Sequence, residues 1–138
     1  MKLSRKSEYA CLALIALAEN YNNGVLKIMD IAQSKNIPQK YLEQILLILK
    51  GNGYVKSRRG YMGGYLLGKP PEEITLAEIL RLIDGALAPV ESASKMFYDH
   101  SPIEQSASLV NIFKDIRNFI SDKLENTTFA DLVNKKTG

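Results

Sequence analysis

Residues that build covalent or metal-centred structures are scarce in this sequence. Its 138 residues include one cysteine, Cys11, and one histidine, His100. A single cysteine excludes a disulfide within the chain and is typical of a reducing compartment, so we expect a cytoplasmic protein. One cysteine and one histidine are also too few to build a conventional zinc site or an iron–sulfur cluster from these ligands in one chain.

Long apolar runs and catalytic signatures are missing as well. The apolar run at residues 12–18 is far shorter than the about 20 residues that cross a bilayer. The chain does not open with a basic segment, an apolar stretch and a small-residue cleavage site, so we expect no secretion. It also lacks a phosphate-binding loop, a nucleophile elbow and a metal-ligand cluster, and we therefore expect it not to be an enzyme.

Charge is distributed unevenly along the chain. Hydrophobic residues make up 46%, as in an ordinary globular domain, and the net charge is only +3. Residues 1–69 nevertheless contain 11 lysines and arginines against 4 acids, a net charge of +7, whereas residues 70–138 contain 7 against 11, a net charge of −4. The basic half indicates a polyanionic partner, and a solvated surface without a partner is the alternative.

The first half of the chain carries a helix-turn-helix pattern. Residues 4–21 predict a mostly buried helix with Ser4 as its N-cap, and residues 28–34 predict a short second helix. An Asn-Ile-Pro break then precedes a third helix at residues 38–50, whose apolar residues form one stripe and whose polar residues cluster in the first two turns. This arrangement is typical of a DNA-recognition helix, although many ordinary helix pairs share it.

Glycines and basic residues are concentrated in the segment that follows. Six of the nine glycines lie at residues 51–68, and residues 50–69 contain five lysines and arginines and no acid. Residues 54–57 and 65–67 predict two strands joined by the basic glycine-rich turn 58–64. A two-stranded ribbon after a helix-turn-helix is a wing, and an arginine at its tip can enter a narrow minor groove.

Capping motifs mark helices in the second half. Thr75 and Glu78 form a capping box before a short helix. Ser101, Pro102 and Glu104 predict a second capping box, followed by a long helix that ends near residue 125 and measures roughly 33 Å. A short helix with its own N-cap completes the chain at residues 128–133.

The long helix carries an apolar stripe that a domain of this size has little core to cover. We therefore expect a subunit interface, with purely intramolecular packing as the alternative. The stripe consists of Leu109, Ile112, Phe113, Ile116, Phe119, Ile120 and Leu124.

These elements predict a mainly α-helical protein with a small β-wing. We assign residues 1–69 to a winged helix-turn-helix DNA-binding region and residues 70–101 to a linker helix and a sensing loop. Residues 102–138 are assigned to a dimerisation helix and a C-terminal helix. The fold prediction is thus a winged helix-turn-helix domain with a long C-terminal dimerisation helix.

Short stretches spread over nearly the whole chain carry a family resemblance. They are Met1-Lys2-Leu3-Ser4 with Tyr9-Ala10, Tyr41-Leu42-Glu43-Gln44-Ile45-Leu46, Arg59-Gly60 with Gly63-Gly64-Tyr65-Leu66-Leu67, Ile74-Thr75 with Asp84-Gly85, and Leu124-Glu125-Asn126-Thr127-Thr128 with Asp131-Leu132. Any one of them is weak, whereas the ordered set is specific. Together they make the sequence resemble the Rrf2 family of bacterial winged-helix transcriptional regulators.

The resemblance implies a homodimer that joins through the long helix and binds an inverted-repeat operator, as a repressor. It places the third helix in the major groove, with contacts from Gln39, Lys40, Tyr41, Glu43 and Gln44. The wing contacts the minor groove and the backbone through Arg58, Arg59, Gly60, Gly63 and Gly64. We assign phosphate contacts to Lys2, Ser4, Lys6 and Tyr9, and also to Arg58.

The chemistry of these side chains agrees with base reading. Glutamine can bond adenine through two hydrogen bonds, lysine can reach the O6 and N7 atoms of guanine, and glutamate can accept a hydrogen bond from cytosine N4. For Tyr41, packing in the core is an alternative to a DNA contact.

The sequence departs from the family in the loop before the long helix. Sensing members of the family carry three cysteines there and bind an iron–sulfur cluster, whereas residues 86–101 contain none. We therefore expect no iron–sulfur cluster and no other cofactor. Glu91, Asp99, His100 and Glu104 could donate oxygen or nitrogen to a metal, but a solvated loop is the simpler interpretation.

Cys11 lies within the apolar body of the first helix. A redox role is conceivable there, but a buried thiol keeps a raised pKa and is inert, so we interpret Cys11 as a packing residue. The sequence does not identify an effector. A small molecule, a partner protein or redox chemistry could act on the loop at residues 86–104.

Two functions follow from the sequence. The first is a sequence-specific DNA-binding transcriptional regulator, whose affinity for DNA falls steeply with salt concentration. The alternative is a protein-interaction module that keeps the winged fold and uses its basic wing on an acidic protein partner. Operator-specific DNA binding distinguishes them.

Overall fold

Six α-helices and one two-stranded antiparallel sheet make up the part of the chain that the computed structural model describes, residues 2–85 and 102–134. The helices are α1 (Arg5–Glu19), α2 (Ile28–Lys35), α3 (Gln39–Gly51), α4 (Leu76–Asp84), α5 (Ala107–Glu125) and α6 (Phe129–Asn134). The strands are β1 (Val55–Arg58) and β2 (Gly64–Leu67), and 3-10 turns occupy Pro71–Glu73 and Pro102–Gln105. The predicted mainly α-helical fold with a small β-wing is confirmed.

Helix α1 is the central packing element of the structure. Ala10, Ala13 and Leu14 are fully buried, and the helix contacts α2, α3, α4, α6 and β2. It begins as predicted, because the Ser4 side chain accepts a hydrogen bond of 3.0 Å from the amide of Ser7. A helix that is apolar nearly all round is therefore covered on most sides within one chain.

The helix-turn-helix consists of α2, a tight turn and α3. Asn36 ends α2 in the left-handed conformation, with φ 53° and ψ 47°, and the adjacent Ile37 is buried. Pro38 occupies the N-cap position, so α3 starts one residue later than the pattern predicts. The predicted stripe packs inward, and its fully or nearly fully buried members are Leu42, Ile45, Leu46 and Leu49.

The wing pairs β1 with β2 in the predicted order, from Val55 opposite Leu67 to Arg58 opposite Gly64. A further backbone bridge was not visible in the sequence. Leu26, just before α2, exchanges hydrogen bonds of 2.9 and 2.8 Å with Tyr65 of β2. The wing is therefore held directly against the segment that leads into the helix-turn-helix.

The predicted start of the long helix is wrong. Pro102–Gln105 forms a 3-10 turn, and α5 starts only at Ala107, with the Ser106 side chain accepting a hydrogen bond from the Leu109 amide. The Ser106 backbone is extended, with φ −122° and ψ 107°, and this separates the turn from the helix. With 19 residues, α5 is about 28 Å long. Ser101, the predicted cap, lies outside the described residues.

The C-terminal segment returns to the core. The amide of Phe129 donates to the carbonyl of Ile74 at 3.0 Å, and the Phe129 ring is fully buried beside Ile74 and Ile79 in the same core as α1. The predicted cap of α6 is also present, because Asp131 and Thr128 exchange hydrogen bonds of 2.9 and 3.1 Å. The division at residues 69 and 101 stays a prediction about function, since packing joins these segments into one core.

The capping box of α4 connects that helix to the base of the wing. Glu78 accepts hydrogen bonds from the Thr75 amide at 2.8 Å and from the Tyr54 hydroxyl at 3.1 Å. Desolvation of Glu78 opposes its ionisation, but the hydrogen bonds from Thr75 and Tyr54 and the charge of Lys69 outweigh desolvation and lower the pKa of Glu78 below its ordinary value. The ionised form of Glu78 therefore stabilises the fold.

We expect Glu78→Gln to lower the free energy of unfolding by about 1 kcal/mol at pH 7. A lowered native pKa stabilises the fold above the pKa of the unfolded chain, and this contribution disappears as the pH falls through the native value. The difference between the two proteins should therefore shrink on acidification. Urea unfolding at several pH values measures it.

Glu72→Gln is the matched control, because Glu72 is exposed in a 3-10 turn. We expect this variant to unfold like the wild type at each pH. An equal loss of stability for Glu78→Gln at pH 7 and at pH 3 would contradict an ionisation effect.

Candidate nucleic-acid interface

One face of α3 presents polar side chains to solvent. Gln39, Lys40, Glu43 and Gln44 are exposed, whereas the opposite face of the helix is buried in the core. Within this set, the amide nitrogen of Gln39 donates a 3.3 Å hydrogen bond to Glu43. The four side chains predicted to read bases thus lie on the accessible side of the helix, with donors and acceptors that a base edge requires.

Tyr41 joins this face to the start of α1. Its ring centroid lies 5.6 Å from that of Tyr9, at an interplanar angle of 50°. Tyr41 is still 44% exposed, so it is neither a core residue nor fully free. The two predicted contact residues therefore form one aromatic pair that fixes the N-terminal region beside the recognition helix.

The N-terminal residues divide into two groups. Lys2 is exposed and Lys6 half-buried, and neither forms an ion pair within the described part of the chain. Ser4 has a different role, because its amide and hydroxyl donate to the Asp84 carboxylate at 3.1 and 2.6 Å. The donors of Ser4 that a phosphate would use are thus committed to the end of α4.

The Asp84 carboxylate is held ionised by this contact. Desolvation raises its pKa, but the hydrogen bonds from the hydroxyl and the amide of Ser4 outweigh desolvation, and the net result is a lowered pKa. Asp84 is followed by Gly85 and then by the predicted sensing loop at residues 86–101, which lies outside the described residues. The contact between Ser4 and Asp84 therefore connects the N-terminus of α1 to the end of α4, directly before that loop.

The wing presents arginines at and beside its tip. Arg58 ends β1, Arg59 follows it in the turn, and both are exposed without an ion pair to any described residue. Gly60 lies next to Arg59 at the exposed tip. Two unpaired guanidinium groups on a narrow ribbon suit a polyanionic surface.

Two glycines of the wing are required by contacts within the protein. A Cβ on Gly63 would lie 2.1 Å from the Arg58 carbonyl oxygen, and one on Gly64 would lie 2.5 Å from the Leu26 carbonyl oxygen. Side chains at either position would push the backbone apart. These predicted wing residues therefore shape the ribbon and dock it.

Sequence reasoning missed three features of this surface. The Lys27 ammonium donates to the backbone carbonyl of Tyr61 and so braces the wing tip against the start of α2. Tyr61 and Met62 are 86% and 74% exposed at that tip, and Leu47 is 72% exposed on α3. The Lys27 contact spans 34 residues and has no local signal, whereas Leu47 was visible as an apolar residue off the buried stripe.

The stripe of α5 is left largely uncovered. No residue of this helix is buried, and Ile112 and Phe119 are 56% and 73% exposed. Leu109 and Ile116 are exposed as well, while Phe113 and Ile120 are half-buried. At its C-terminal end, α5 is tied to α4 by an ion pair between Arg81 and Glu125. The helix is thus attached at its C-terminal end and carries an accessible apolar face.

Cys11 is half-buried in α1 and packs against the core. Desolvation, and secondarily the negative charge of Asp84, raises its pKa to about 12. The thiol is therefore protonated at neutral pH, in agreement with the predicted packing role. Within residues 2–85 and 102–134, no three side chains of histidine, cysteine or acid type are placed to share a metal ion.

No helix within the described segments combines the length and the hydropathy that a membrane span requires.

Comparisons with known proteins agree on one family. Residues 3–135 match Rrf2, described as an iron-dependent transcriptional regulator. The transcriptional regulator CymR of Bacillus subtilis (strain 168) is 35% identical over 138 residues, covering 100% of this chain and 94% of CymR. The regulator IscR of Erwinia tasmaniensis is 33% identical over 136 residues, covering 99% of this chain and 81% of IscR.

A solved structure agrees with the fold. The structure of CymR, named the global cysteine regulator of B. subtilis, superimposes with a TM-score of 0.80 at 33% identity and covers 97% of each chain. Sequence and structure therefore place this chain among helix-turn-helix regulators.

We expect Gly63→Ala to weaken binding to duplex DNA by about tenfold or more, because the wing tip must shift and Arg59 moves with it. Gly51→Ala is the matched control, since a Cβ there meets nothing within 4 Å. Fluorescence anisotropy at fixed salt concentration measures the affinities, and far-UV circular dichroism checks that helix content is unchanged. Equal affinities for the two variants would contradict a role of the wing in DNA binding.

Proposed function

We propose that this chain, which belongs to the Rrf2 family of transcriptional regulators, is a homodimeric repressor that binds an inverted-repeat operator. Its general function as a DNA-binding transcriptional regulator follows from its relatives, which are named helix-turn-helix-type regulators. The observation that supports operator binding is the accessible polar face of α3, combined with an arginine-bearing wing that is docked on the same helix-turn-helix.

The proposed contacts follow from the chemistry of this surface. The exposed side chains of Gln44, Lys40 and Glu43 read base edges in the major groove. Arg59 enters the minor groove, and Arg58 contacts the phosphates. Lysines near the N-terminus of α1 add further phosphate contacts, in keeping with a net charge of +7 over residues 1–69.

The homodimer is proposed from the uncovered face of α5. A stripe of leucine, isoleucine and phenylalanine along about 28 Å of helix is a large apolar surface for a small domain. A second copy of the same stripe, related by a two-fold axis, covers it with a self-complementary interface. The two recognition helices then meet half-sites about one turn of DNA apart, which is why the operator is an inverted repeat.

Regulation is proposed to proceed without an iron–sulfur cluster. The family is described as iron-dependent, but cysteine-ligated clusters require thiolates. The one cysteine of this chain is a half-buried thiol with a pKa of about 12. The residues therefore do not fit such a cluster, and an effector, a small molecule or a protein, acts instead through residues 86–104. Of the metal-donor candidates in that stretch, Glu91, Asp99 and His100 lie outside the described residues, and Glu104 lies in the 3-10 turn Pro102–Gln105.

Selection of bound duplexes from a random DNA library tests the proposed operator. We expect enrichment of an inverted repeat with half-sites about 10 base pairs apart. Binding to the selected duplex should weaken steeply with salt, since each phosphate contact adds about −0.9 to the slope of log affinity against log salt. Enrichment of nothing beyond salt-sensitive background would contradict operator recognition and favour a protein-interaction module with an acidic partner.

Phe119→Asp tests the interface. A charge placed within the apolar stripe should raise the dissociation constant of the dimer by at least about a hundredfold. Asn118→Asp adds the same charge at an exposed position of α5 outside the apolar stripe and should remain dimeric. Sedimentation equilibrium measures both. A wild type that is monomeric at micromolar concentration, or a Phe119→Asp variant that remains dimeric, would contradict the proposal.

Anaerobic reconstitution with ferrous iron and sulfide tests the absence of a cluster. We expect no stoichiometric incorporation and no visible absorption band, because one protonated thiol cannot replace several thiolate ligands. Stoichiometric iron and sulfide with a visible band would overturn this part of the proposal.

A further inference from the structure

Leu47 occupies an unusual position for an apolar side chain. It is 72% exposed, whereas its neighbours Leu46 and Leu49 are 1% and 0% exposed on the same helix. Single exposed leucines are common on protein surfaces and need no special role. The position of Leu47 relative to the polar side chains of α3 is what gives it one.

Helical geometry places Leu47 among the residues that read bases. An α-helix turns by about 100° per residue, so Lys40, Glu43 and Gln44 define an arc of about 100°. Leu47 falls near the middle of this arc, one turn beyond Glu43. It is closer to the centre of the exposed face than Gln39 or Tyr41, which lie outside the arc on either side.

The chemistry of the major groove supplies a matching group. Lys40, Glu43 and Gln44 offer charge and hydrogen bonds, which suit the polar edges of bases. Leu47 offers neither, and the apolar group that a base pair presents in the major groove is the C5-methyl of thymine. Contact between the two removes apolar surface from water on both sides.

We propose that Leu47 is a specificity-determining residue that contacts a thymine C5-methyl group in each half-site of the operator. The step from Gln44 to Leu47 along the helix is about 4.5 Å, slightly more than the rise of one base pair. The thymine therefore lies within two base pairs of the base that Gln44 contacts. This inference rests on the proposed operator binding and adds a base preference to it.

Replacement of thymine by deoxyuridine removes only the methyl group and provides the test. In the selected operator, each thymine is replaced in turn, symmetrically in both half-sites, and affinities are measured for the wild type, Leu47→Ala and Leu47→Met. For the wild type, we expect one replacement to weaken binding about fourfold per half-site and about 16-fold in the symmetric duplex, as for loss of one buried methyl contact.

The variants should separate this contact from general effects. Leu47→Ala should bind the unmodified operator more weakly than the wild type and should not respond to the sensitive replacement. Leu47→Met, which keeps an apolar side chain of similar reach, should retain the response. Because Leu47 is exposed, we expect both variants to melt at the wild-type temperature.

Several outcomes would overturn the role of Leu47 while leaving operator binding intact. These are a Leu47→Ala variant with wild-type affinity, one that keeps the wild-type response to every replacement, and a selected half-site without thymine in the expected window. Failure to select any operator would instead remove the proposed function together with this inference.

Discussion

Burial of α1 on most of its sides is the constraint on which the rest of the structure depends. Leu14 and Leu17 are fully or nearly fully buried, and burial of each contributes about 1.5–3 kcal/mol. The two helices of the helix-turn-helix, α2 and α3, pack against α1, and so do α4 and α6 from the second half of the chain. Movement of α1 would therefore displace the helix-turn-helix and the segments on both sides of residues 86–101.

The interface surface is assembled by contacts from distant parts of the chain. Tyr9 positions Tyr41 at the start of α3, and the backbone bridge from Leu26 to Tyr65 holds the wing. Lys27 then braces the wing tip at Tyr61. The two elements that are proposed to contact DNA together are thus connected through the short segment before α2, which favours a preorganised surface.

Much of the fold could be predicted from the sequence because its signals are local. The N-cap at Ser4, the capping box of Thr75 and Glu78, and the stripe of α3 each depend on residues within a few positions. The start of α5 was mispredicted because Pro102 is compatible with a 3-10 turn as well as with an α-helix. Here the extended backbone of Ser106 decides between them.

The candidate interface was less accessible to sequence reasoning. The polar residues of α3 were identified from periodicity and the family resemblance, but the Ser4 contact to Asp84 spans 80 residues and has no local pattern. Leu47 was visible as an exception to the apolar stripe, yet only its exposure in the folded chain shows that it lies beside the side chains that are proposed to read bases. Long-range contacts and exposure depend on packing, which a single sequence does not reveal.

Hydroxyl-radical footprinting on a selected operator tests the central claim most directly. A homodimer that reads an inverted repeat predicts two symmetric protected windows about 10 base pairs apart. Flanking minor-groove protection should be lost when Arg59 is replaced by alanine. A single protected window, or uniform protection without a two-fold pattern, would contradict the account.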